Sequence, residues 1–68
     1  MELSAILIPA PEGVYVALNP ETGTTTQGES IEEALANLQE ATEPYLEEFA
    51  ITLSGRSLMT TFQVTTHA

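Results

Sequence analysis

Only one segment of this 68-residue chain repeats its apolar residues with the period of a helix, so whatever sheet the rest forms has one helix to cover it. Ile31, Ala34, Leu35, Leu38, Ala41, Thr42, Tyr45 and Phe49 recur every three to four positions. Glu32, Glu33, Glu40, Glu43 and Glu47 fall largely elsewhere on the wheel. Ser30 with Glu33 three positions on is a capping box, in which each partner satisfies an orphan amide at the helix start. Pro44 interrupts the pattern. An interior proline loses a backbone bond and clashes with the preceding turn, so a kink or an early end is expected there.

The segments before the helix are short and rich in apolar or β-branched residues, and turn chemistry separates them. Residues 3–8 predict a strand that Pro9 ends, since proline cannot donate to a ladder. Pro11, Glu12 and Gly13 supply a turn into a second strand over residues 14–18, which Asn19-Pro20 closes, so the two should form a hairpin. A further turn over residues 21–23 leads to a weaker third strand over residues 24–27, closed by Gly28. After the helix, Ser54-Gly55 makes a turn, and Leu58, Thr60, Phe62 and Val64 alternate with Met59, Thr61, Gln63 and Thr65 as a final strand. The expected architecture is a single α+β domain over residues 1–68. Its order is β-β-β-α-β, an antiparallel sheet with one helix packed on one face.

A sheet covered on one side should be apolar on that side only, yet the first two strands are apolar on both. Leu3, Ala5 and Leu7 oppose Ile6 and Ile8, while Val14, Val16 and Leu18 oppose Tyr15 and Ala17. The second face then needs a cover, most economically another copy of the same sheet. Ile6, Ile8, Tyr15 and Ala17 are the candidate contacts of a dimer or tetramer. Size argues the same way. A core this small barely offsets the entropy of ordering, and the chain has no cysteine for a disulfide and one histidine, His67, where a structural zinc site needs four ligands.

Ten acids, all glutamate, face a single base, Arg56, for a formal net charge of −9 at pH 7. Such a chain repels nucleic acid and is steered toward basic partners, although the same charge also serves solubility. No apolar run approaches the ~20 residues that span a bilayer, and the N-terminus lacks a signal-peptide pattern, so a cytoplasmic location without membrane contact is expected. No catalytic, cofactor or metal site is expected either. Gly13, Gly23, Gly28 and Gly55 are too far apart for a phosphate cradle, no serine or threonine has an oriented base, and the strands carry almost none of the carboxylates a two-metal nuclease needs.

Residues 13–21 read Gly-Val-Tyr-Val-Ala-Leu-Asn-Pro-Glu, and residues 26–49 continue Thr-Gln-Gly-Glu-Ser-Ile-Glu-Glu-Ala-Leu-Ala-Asn-Leu-Gln-Glu-Ala-Thr-Glu-Pro-Tyr-Leu-Glu-Glu-Phe. This stretch resembles the HicB-like antitoxin family, whose pattern is a strand ending in a Pro-acid or Asn-Pro-Glu turn, a Gln-Gly-acid-Ser/Thr step and a helix beginning Glu-Glu-Ala followed by Asn and Glu-Ala. The resemblance implies a β-β-β-α-β fold partly similar to ribonuclease H without its active site. It also implies a partner: a small basic HicA-like toxin that cleaves messenger RNA. Asn19 and Glu21 at the strand-end turn, and Glu32 and Glu40 on the exposed helix face, are the candidate toxin contacts. Complete antitoxins of that family carry a C-terminal operator-binding segment that this chain does not match, so DNA binding by this chain is not expected. The alternative is a stand-alone structural or regulatory homo-oligomer with no toxin partner.

Overall fold

The computed structural model describes residues 1–66, so His67 lies outside the described part. Three strands, β1 (Ile6–Pro9), β2 (Tyr15–Asn19) and β3 (Thr24–Gly28), form an antiparallel sheet in the order β1-β2-β3, followed by one helix, α1 (Ile31–Glu48). The turn Pro11–Gly13 joins β1 to β2, with Glu12 in the left-handed region at φ 69° and the Ala10 amide donating to the Val14 carbonyl at 2.8 Å. This is the expected α+β hairpin-and-helix order up to α1.

The helix starts where its cap dictates. The Glu33 amide donates to Ser30 Oγ at 3.1 Å, and the Glu33 carboxylate returns to accept from the amide of Glu29, one residue before the cap, at 3.3 Å. Of the two outcomes expected at Pro44, the early end is corrected: α1 runs on to Glu48. Pro44 and Glu40 are both exposed, so the carbonyl that loses its intrahelical donor belongs to a residue that faces water rather than the core.

α1 lies across β2 and β3. Ala17 and Ala34 are fully buried with Leu38, and Leu7 and Tyr15 pack against them. Small side chains let the helix approach closely. At Gly28 a Cβ would meet the Ala34 nitrogen at 2.6 Å, so the glycine is required for space. Two side-chain bonds hold the contact: Thr26 Oγ1 donates to the Ala34 carbonyl at 3.1 Å, and Asn37 Nδ2 to the Gln27 carbonyl at 2.8 Å.

The final strand is the main correction. Ser54 and Gly55 form a bend as expected, but residues 56–66 join no strand ladder among the described residues and stand exposed as an arm. Alternation is a local property of sequence, whereas a strand exists only when a neighbour completes its ladder. The arm gives the molecule a radius of gyration of 14.1 Å and a longest dimension of 45 Å. A compact chain of this length would have a radius near ~11 Å.

Candidate functional site

The residues singled out by sequence separate into three places. Asn19 and Glu21, expected at a contact surface, instead form a latch. Asn19 is buried, with all four hydrogen-bonding positions of its amide filled: Nδ2 donates to the Ser4 carbonyl and to Glu21 Oε1, each at 2.7 Å, and Oδ1 accepts from the Thr22 amide at 2.9 Å and the Thr22 hydroxyl at 2.5 Å. Glu21 Oε1 also accepts from the Ser4 amide at 2.8 Å, and its Oε2 accepts from Ser57 Oγ at 2.7 Å. One turn thereby ties the segment before β1, the β2–β3 connection and the start of the arm.

That geometry sets the acidity of Glu21. The Ser4 amide, then Ser57 and Asn19, donate to its ionised form and hold its carboxyl down from 4.5 to about 2, outweighing the opposing effect of desolvation. A carboxyl depressed on folding contributes stability that is present above its unfolded value and is lost as pH falls through the folded one. Between pH 4.5 and about 2 the latch should weaken and release both ends it holds. Glu21→Gln should show at neutral pH what acid does to the native chain. Hydrogen exchange at the Ser4 amide checks both, and protection unchanged in either case would contradict the latch.

Glu32 and Glu40 lie exposed on α1, in company the sequence reading did not single out as contacts. At ~100° per residue, Glu32, Glu33, Glu40, Glu43 and Glu47 fall within an arc of about 100°, a stripe roughly 22 Å long. Among the described residues no base offsets it, because Arg56 pairs with Glu2. The C-terminal half of the stripe works against its own helix: Glu43 and Glu47 repel as an i,i+4 pair, and acids with no base in the last turn oppose the helix dipole, whereas Glu32 and Glu33 in the first turn suit it.

The proposed oligomer contacts do not share a face. Register pairs Ile6 with Leu18 and Ile8 with Val16, which places these four on the side away from α1, where Ile8 is 47 % exposed. Leu7 pairs with Ala17 and Pro9 with Tyr15 on the helix side. Ala17, wholly buried, and Tyr15, packed against the core, are corrected from interface to core; the open apolar face consists of Ile6, Ile8, Val16 and Leu18. No helix among the described residues is long and apolar enough to cross a membrane.

Together the fold and these surfaces define a small α+β domain with a latched turn, an acidic helix stripe and an uncovered apolar sheet face. No family model matches the chain, and no curated protein or solved structure matches it either.

Proposed function

We propose that this chain is a non-enzymatic protein-binding module that covers a small basic protein with the α1 stripe, in the manner of a HicB-type antitoxin covering a HicA-like, messenger-RNA-cleaving toxin. The observation that carries this reading is the uncompensated stripe from Glu32 to Glu47. Its C-terminal half costs the helix stability, and a cationic partner recovers that cost while being steered to the site. Of the contacts named from sequence, Glu32 and Glu40 belong to this surface; Asn19 and Glu21 support it only by holding the fold.

Charge reversal separates binding from folding. Combining Glu32→Lys, Glu40→Lys and Glu43→Lys should weaken association with a small basic toxin of this type by at least ~100-fold, mainly through slower association. All three side chains are exposed, and relieved repulsion at Glu43 offsets the unfavourable base placed in the first turn at position 32, so the melting temperature should change little. Binding that survives the triple substitution would overturn the assignment of the stripe.

The open face of Ile6, Ile8, Val16 and Leu18 favours a second reading, in which the chain acts as a stand-alone structural or regulatory homo-oligomer. Intermolecular contacts through Ile6, Ile8 and Val16 in the chain alone distinguish the two readings, since only the second requires that face to be covered by another copy.

A further inference from the structure

We infer that the arm of one copy is an exchanged strand, and that it docks on the free edge of β1 in a second copy, filling the cleft beside α1. Three features of the single chain fit one another. The first is an unfinished core: among the described residues only Ala17, Ala34 and Leu38 are buried hydrophobics. α1 packs on β2 and β3, and a cleft of about 410 Å³ opens between the segment leading into β1 and the helix, with Leu3, Ala5, Leu35 and Leu46 on its walls and Gln39 and Glu43 beside them. The second is an unpaired edge. β1 bonds only to β2 among the described residues, leaving its outer row of amides and carbonyls to template another strand. The third is the arm itself, whose large apolar residues all stand in solvent: Leu58 95 %, Met59 78 %, Phe62 85 % and Val64 73 %.

The arm carries what the cleft lacks. Leu58, Phe62 and Val64 stand on one side of an extended segment, so a strand laid along β1 with that side toward α1 would drop all three into the apolar space. Residues 58–64 span about 23 Å when extended, enough to cover β1 and the residues leading into it. The occupant is a second copy rather than the same one because of how the arm leaves. Ser57 is held at the latch by Glu21, and beyond it the apolar side chains stand in solvent rather than against their own cleft, in a molecule 45 Å long. Two copies exchanging arms about a two-fold axis would each gain a strand and a filled core, a closed and self-complementary arrangement.

This inference shares only self-association with the homo-oligomer reading above, and it places the contact elsewhere. Mixing isotope-labelled with unlabelled full-length chain and recording filtered nuclear Overhauser contacts tests it directly. Contacts between the Phe62 ring of one copy and the Leu3 or Leu35 methyls of the other are expected. Phe62→Asp should weaken association by at least ~100-fold, as loss of a central buried anchor does, whereas Val16→Asp on the open face should leave it intact. A monomer would overturn the exchange, as would Phe62 contacts confined to its own chain. A dimer whose intermolecular contacts run through Ile6, Ile8 and Val16 would also overturn it, while leaving the homo-oligomer reading standing.

Discussion

Gly28→Ala should remove about 3 kcal/mol of stability, the upper range for forcing an extra carbon into a packed contact. The new Cβ would stand 2.6 Å from the Ala34 nitrogen and 2.9 Å from the Glu33 carbonyl carbon, and both are backbone atoms that no rotamer change can move. β3 and the first turn of α1 would have to separate, straining the Thr26 and Asn37 bonds that join them. A domain of this length has roughly 3–10 kcal/mol in total, so much of the population would unfold at physiological temperature. Gly55→Ala is the control, because a Cβ there meets nothing within 4 Å; its effect should stay within about 0.5 kcal/mol. Urea midpoints of the two variants against the parent measure the contrast, and equal midpoints would mean that helix and sheet are not held at this distance.

Asn19→Ala should cost a similar amount, about 3 kcal/mol, for a different reason. Truncation leaves the Ser4 carbonyl and the Thr22 amide without their partner in a part-buried turn, and strips one donor from the Glu21 carboxylate. Asn19→Asp keeps the shape but replaces the donating amide with an oxygen aimed at Glu21 Oε1 and the Ser4 carbonyl. The new carboxyl favours its protonated form in the fold, so its folded pKa is raised. Its penalty should therefore be full at neutral pH and shrink as pH falls through that value. Thermal melts from pH 7 downward should show the gap to the parent narrowing, and a gap that does not vary with pH would contradict the geometry of the latch.

The helix was legible because its evidence is local: the cap, the period and the acids all lie within one segment, and α1 begins at the residue after Ser30. The hairpins were legible for the same reason, through Pro11 to Gly13 and through the turn after Asn19. Which face of β2 meets the helix was not, because both faces are apolar and nothing within the strand chooses between them. The cue lies in size across distant positions: Ala17, Gly28 and Ala34 are small where the helix approaches the sheet. Asn19 and Glu21 read as surface contacts because an Asn-Pro-Glu turn is a surface feature, and their true partner, Ser4, lies 15 and 17 residues away. The arm read as a strand because alternation shows what a segment can pair as, not what it pairs with. Glu32 and Glu40 were legible as exposed acids, whereas the stripe they belong to appears only when Glu33, Glu43 and Glu47 are placed on the same wheel.

The central claim is that the stripe is a binding surface for a small basic protein. Titration calorimetry of the full chain with a HicA-like toxin, at low ionic strength and again near 0.15 M, where screening sets in at about 8 Å, tests it most directly. The account predicts a saturable complex of fixed stoichiometry that weakens as salt rises. No binding at low ionic strength, or an affinity indifferent to salt, would contradict it.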